Sequence, residues 1–459
     1  MKPARGKPRQ PSPATPKTRG AAAVPAAPAE PPATPPGVRL GTFFLWLLVL
    51  VPPFLFATMA KESFRQPKLL ASEWFALASL AALAWGLRRV EEVHPADLWR
   101  LPAARIVLPA LAVATAGLAA TAHPAHAREA LADLWIGAAA LVGWSAALPG
   151  SRLERLLEGL LWPATALALV GIGQFHGLWQ PLALVGIASG SRLAITSFAG
   201  NPGDLGAYLV LPILVAQASL HHRWRQGQRW GRPAVLGTAA ALAICLYALL
   251  LTQTLAALAA VAVGSLLLWV ALLPRRRSLL LLGTGALAAV LLTAAFPPLR
   301  QRVVEKGRQA VSGDLNAVLT GRLDGWRTAV WMLGQHPLTG VGHGAYRTEF
   351  VPAKLALLDR GVAFFPEQTQ VGFANAHNEY LEVAAEWGLP GLLALAWGLW
   401  VLFGALRRER GNEARALAWA GTAALALLSL VDFPFRVALV GFPALLFLSW
   451  VLRTAEETP

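Results

Sequence analysis

The sequence is short of charge. Only 14% of its 459 residues are Asp, Glu, Lys or Arg, whereas 56% are hydrophobic. A soluble chain carries nearer a quarter charged residues, so a water-soluble globule is excluded. The single cysteine, Cys245, lies inside an apolar run and cannot form an internal disulfide. Several familiar sites are also missing. There is no G-x-x-x-x-G-K-[ST] loop, no H-E-x-x-H and no D-x-D carboxylate pair, so a nucleotide held through a metal is not expected. The glycines of TGVGHGAY (Gly340, Gly342, Gly344) do not complete G-x-G-x-x-G, and no strand precedes them. They read as a chain reversal rather than a phosphate cradle.

What is present is a series of long apolar runs, and residues 234–273 hold no charge at all. A hydrocarbon core takes about 20 apolar residues per helical crossing. The pattern predicts an all-α polytopic membrane protein with twelve spans, at 40–60, 69–87, 103–122, 130–148, 156–175, 203–220, 234–252, 255–273, 278–296, 388–406, 414–431 and 435–452. Residues 1–37, rich in Pro, Ala, Lys and Arg, are expected to be a disordered cytoplasmic tail. Residues 38–296 then hold spans one to nine, 297–387 a large helical outer loop, and 388–459 the last three spans with a short tail.

The net charge of +15 is unevenly placed. Connections that return to the side of the N-terminus carry Arg88, Arg89 and Arg100, Arg152 and Arg155, Arg223, Arg225, Arg229 and Arg232, Arg275–Arg277, and Arg407, Arg408, Arg410 and Arg415. The other short connections carry mainly Lys61, Arg65, Lys68, Arg128 and Arg192. This asymmetry places both termini in the cytoplasm and the long loop outside it. It does not resemble the basic face of a nucleic-acid-binding domain. Against the rule stands the first outer loop, which is itself basic.

A structureless loop as long as 297–387 would be unusual, so it should fold and have a task. TGRLDGWRTAVWMLGQHP reads as a helix, with Thr320 as cap, Leu323, Trp326, Val330 and Leu333 on its buried face, and Pro337 past its end. A second helix runs from about Asn378 to Trp387 and stops at Gly388.

Three residues are the leading candidates for chemistry. His377, in FANAHNEYLEVAAEWGLPG, would lie in the first turn of a helix capped by Asn375 or Asn378. A neutral imidazole there could take a proton as a general base; the bland alternative is a surface histidine beside a loop helix. Arg322 opens its own helix, where the N-terminal N–H groups and a planar guanidinium both suit phosphate oxygens. Its alternative is pairing with Asp324. Arg302 and Arg327 are weaker versions of the same idea. Arg192, ten residues before the Pro202 that opens the sixth span, is costly at that depth without an anion or water; otherwise it anchors to lipid headgroups.

These segments resemble the O-antigen ligase/polymerase family. The resemblance rests on Arg322 and Trp326, then Pro337, Leu338, Gly340 and Gly342, then His377, Asn378, Tyr380 and Leu381, then Glu386, Gly388 and Gly391. SFAGNPGDLGAYLVLPI, with Asn201 and Pro202 leading into a span, is similar as well, so matching segments spread from about 190 to 395. The resemblance implies a type C glycosyltransferase-like fold of the bacterial inner membrane, with its active site facing the periplasm. It implies a metal-independent transfer without cofactor. The donor would be a glycan on undecaprenyl diphosphate. The acceptor would be the lipid A–core for a ligase, or a second lipid-linked glycan for a polymerase. A residue at the position of His377 would activate the acceptor hydroxyl, and one at Arg322 would hold the diphosphate. Asn378, Asn201 and Tyr380 would contact substrate. One departure stands out: the family often has Thr-x-Ser-Arg where the seventh span meets the outside, and here the segment is LTQTL, with Leu255 in place of the arginine. Arg192 or Arg302 would then supply the missing charge.

The rival from another class is a transporter or flippase, which would place ionisable residues in mid-span. Only Glu73 and Asp133 break the spans notably, both near proposed ends. The conspicuous polar residues cluster instead in the outer segments, which also argues against a scaffold.

Overall fold

A computed structural model describes residues 34–87, 98–119, 121–180, 189–228, 231–365, 373–408 and 411–457. The expected tail up to residue 33 and Arg88, Arg89, Arg229 and Arg410 lie outside these residues. The described chain is helical, without a strand among the described residues. In order come α1 (Pro36–Leu50), α2 (Arg65–Leu87), α3 (Pro102–Ala116), α4 (Pro124–Ala147), α5 (Gly150–Gly159) and α6 (Leu161–Phe175). Next are α7 (Pro202–Arg225), α8 (Pro233–Thr252), α9 (Leu255–Leu272) and α10 (Arg275–Ala295). Four helices, α11 (Pro297–Val311), α12 (Leu315–Val318), α13 (Arg322–Gln335) and α14 (Tyr346–Leu358), occupy the long loop. The chain closes with α15 (Glu379–Arg407), α16 (Asn412–Val431) and α17 (Ala438–Glu456).

Twelve helices among the described residues are long and apolar enough to cross a membrane, one for each expected run. Several boundaries move, among them the start of the fourth span, at Pro124 rather than 130. The first span starts at Pro36 and ends at Phe54, because Pro52 and Pro53 close it early. The fifth is α5 and α6 joined, from Gly150 to Phe175. The tenth begins at Glu379 rather than near 388 and bends at Gly388 (φ 64°, ψ −158°).

α7 is the centre of the bundle, and its side chains are buried almost without a break from Pro202 to Ala218. α6, α8, α9, α16 and α17 pack around it. In lipid there is little hydrophobic gain in bringing helices together, so close van der Waals fit must hold them. Alanine and glycine provide that fit, as where Gly264 of α9 sits against Leu214 of α7 and Ala420 of α16. Cys245 is buried in this core, as its apolar setting suggested.

Because successive spans alternate in direction, one end of the bundle collects the described residues 51–64, 117–119, 121–123, 176–180, 189–201, 253–254, 296–365, 373–378 and 432–437. The opposite end collects the described residues 98–101, 148–150, 226–228, 231–232, 273–275, 408 and 411, with Arg100, Arg232, Arg275 and Arg408 among them. The basic first outer loop no longer conflicts with this division. Two of its three cations face the protein: Lys68 donates to the carbonyls of Leu55 and Phe64, and Arg65 grips Asp204 through two bonds of 2.9 and 3.0 Å.

Candidate active site

The site is assembled from four separate pieces of chain at that first end. α13 brings Arg322 as its first residue. Its cap differs from expectation: Gly321 (φ 80°) precedes it without a side-chain bond, and Thr320 is not the cap. The packed face is also rotated by one residue. Gly325, Thr328, Ala329 and Met332 are buried, while Val330 is exposed, because the small residues let the helix come close to residues 375–377. A Cβ on Gly325 would meet the Ala376 carbonyl at 2.7 Å. Asp324 is not paired with Arg322; it accepts from Asn316 Nδ2 (2.6 Å) and from the Phe365 amide (2.9 Å). Arg327 donates from Nη1 to the Ala363 carbonyl (2.8 Å).

His377 lies just before α15, not in its first turn, because Asn378 is the cap and accepts from the Leu381 amide at 2.9 Å. His377 itself has φ 54°, a left-handed conformation that a histidine adopts only when its surroundings impose it. Trp326, one turn along from Arg322, donates its indole N–H to the His377 carbonyl at 3.2 Å. Phe373 and Phe433 hold the ring edge-on, at 5.4 and 4.8 Å between centroids. One turn of α13 therefore carries the candidate arginine and also fixes the candidate base.

Asp432, which the sequence reading passed over, faces the imidazole from the end of α16, with Oδ1 3.8 Å from Nδ1. That separation is ion-pair distance, longer than a hydrogen bond. Burial pushes the Asp432 carboxyl up, but the His377 ring and the charge of Arg322 more than offset it and hold it below the usual carboxylate range.

Arg192 and Arg302 join Arg322. Arg192 donates from Nε to the Thr252 carbonyl at 2.9 Å, which fixes it at the LTQTL break, three residues from Leu255. Its guanidinium is pushed down to about 10, first by burial and then by the charges of Arg302 and Arg322. Arg302 is lowered by burial and by Arg322. Three guanidiniums thus share one region and repel one another. Among the described residues, the Nε atoms of Arg302 and Arg322 are buried with no hydrogen-bond partner, and the Arg322 guanidinium makes a 3.4 Å contact to the Leu319 carbonyl. Buried donors of this kind are normally satisfied, so the cluster has room in its chemistry for an anion.

The remaining three candidates have structural tasks. Asn201 caps α7 by accepting from the Asp204 amide at 2.8 Å, Asn378 also donates to the Leu430 carbonyl at 2.9 Å, and the Tyr380 hydroxyl donates to the Ala426 carbonyl at 3.0 Å. The glycine run is a chain reversal, as read. Val341 and Gly342 donate to the carbonyls of Ala385 and Glu386, and Leu389 donates back to Pro337, so the reversal is bonded to the bend of α15. A Cβ on Gly340 would lie 2.3 Å from the Glu386 carbonyl carbon and oxygen, and Gly388 would strike the Pro337 carbonyl.

Residues 240–396 match the family model described as O-antigen ligase. No curated protein matches the chain. The matched stretch contains Arg302, Arg322 and His377, but neither Arg192 nor Asp432. Together with the order of the motifs within it, the match supports membership of the O-antigen ligase/polymerase family.

Proposed function

We propose that this protein moves a glycan from a polyprenyl diphosphate, undecaprenyl diphosphate in bacteria, to the hydroxyl of a lipid A–core acceptor at the periplasmic face of the inner membrane. The family supports ligase- or polymerase-type activity in general. The finer reading rests on one observation: three partner-poor guanidiniums lie beside a histidine that faces a carboxylate. The positive-inside asymmetry favours the periplasmic side for that end of the bundle.

In this mechanism Arg192, Arg302 and Arg322 hold the diphosphate oxygens. They offset charge that grows on the bridging oxygen as its bond to the anomeric carbon breaks, and they fill the role that a divalent cation plays elsewhere. With Nδ1–H of His377 turned to Asp432, Nε2 is left with its lone pair and takes the acceptor proton. The acceptor oxygen forms the new bond to carbon, the electron pair of the broken bond leaves on the diphosphate, and Asp432 stabilises the imidazolium. A single displacement inverts the anomeric centre.

The test is reconstitution with a polyprenyl-diphosphate glycan, a lipid acceptor and chelator. His377→Ala should lower kcat by about 10²–10⁴-fold while the protein remains inserted. A variant with normal turnover, or a product of retained configuration, would remove His377 from the role of base. The acceptor used in vitro separates a ligase from a polymerase.

A further inference from the structure

Glu379, Glu382 and Glu386 follow one another at three and four residues, so they share a face of α15. That face meets Arg436, in the short connection before α17. Its Nη2 lies 2.8 Å from Glu386 Oε2 and 3.2 Å from Glu382 Oε1, and both carboxylates are almost completely buried. The two glutamates lead in different directions. Glu382 accepts from Asn375 Nδ2 (3.0 Å) and from the Ala376 amide (2.8 Å), the two residues directly before His377. Glu386 accepts from the Tyr346 amide (3.3 Å) and faces His343 Nδ1 (3.0 Å), in the glycine-rich reversal.

We infer that Glu382 is a positioning residue for His377: its two bonds to Asn375 and Ala376 impose the left-handed conformation at residue 377, and Arg436 braces it against the 340–346 reversal. The inference rests on His377 acting as base. Glu382 itself touches neither the guanidinium cluster nor any reacting atom. Its loss therefore affects turnover and leaves donor binding alone. The strain at residue 377 needs this external support, because a residue at positive φ relaxes to a negative value when its tethers are cut. A displacement of the ring by about 1 Å is worth on the order of 10²-fold in rate.

The experiment uses the full-length protein in membranes, with kinetics and amide hydrogen exchange measured on the same preparations. Glu382→Gln keeps size but turns an N–H2 group toward Arg436 and Asn375. It should lower kcat about 10–10²-fold, leave KM for the lipid-diphosphate donor within about twofold, and speed exchange at the Ala376 amide. Asn375→Leu cuts one tether without touching the ion pairs, so it should lower kcat even where Glu382→Gln fails to insert. The double variant Asn375→Asp/Glu382→Gln exchanges donor and acceptor across the same contact and should recover a large part of the lost turnover. Wild-type kcat in both single variants overturns the inference. So does a loss that the exchange of partners fails to rescue while Ala376 remains protected. Normal turnover by His377→Ala would instead overturn the base assignment, and the exchange result at Ala376 would still report on the tether.

Discussion

Two sets of half-buried arginines, at the same end of the bundle, have opposite surroundings. Arg436 is enclosed by carboxylates: burial alone would lower its pKa, but Glu386, Glu382 and Glu379 more than reverse that and raise it. Arg192 and Arg302 are lowered, first by burial and then by the charges of other arginines. Side-chain type and burial are similar, so the difference lies in whether the fold itself provides the anion. Where it does, the guanidinium is part of the framework. Where it does not, the proposed function has the anion arrive with the substrate.

The largest effect that would sharpen this contrast comes from the framework. Arg436→Ala leaves buried carboxylates without their counter-charge and should destabilise the protein by about 3–5 kcal/mol, seen as a large fall in melting temperature in detergent. A melting curve like that of the wild type would break the contrast. Next comes Arg322→Ala, which should melt almost normally yet lose about 10²–10³ in kcat. In the wild type, inorganic pyrophosphate at 100 times its Kd should add about 2.7 kcal/mol of stability, and this gain should shrink in Arg322→Ala. The smallest effect is a gain. A cation lowered by burial and by like charges, as Arg192 is, costs stability for as long as it stays charged, which covers the whole physiological pH range. Arg192→Gln should therefore raise the melting temperature at neutral pH by about 1–2 °C while activity falls. A lower melting temperature would mean that Arg192 is held by the fold after all.

The spans and the helices of the long loop are legible because each is written in a continuous stretch: a run of apolar residues or a helix opening. Asp432 and Arg436 were not legible. Their partners lie about fifty residues away, in or just before another helix, and nothing in VDFPFR suggests a motif. There was a signal: they are the only two charges between residues 416 and 452, and charges in such a run are costly unless they are used. Glu73 and Asp133 were noticed for that reason but were placed at span ends. They line a cavity of about 280 Å³ with His343, Glu379 and Arg436. The register of α13 was misjudged because apolar bulk was taken to mark the buried face. Glycine, alanine and threonine marked it instead, since the neighbouring loop lies too close for anything larger. The cap on α15 moved His377 by only one position, but that position separates a helical backbone from a left-handed one.

The bend at Gly388 has a practical outcome for engineering. It is secured by main-chain bonds between 337–342 and 385–389, two stretches separated by more than forty residues of outer loop. A chimaera that exchanges recognition loops between relatives should therefore cut outside both stretches and transplant them as a unit. A junction placed between them would join two halves of a clasp that were never matched.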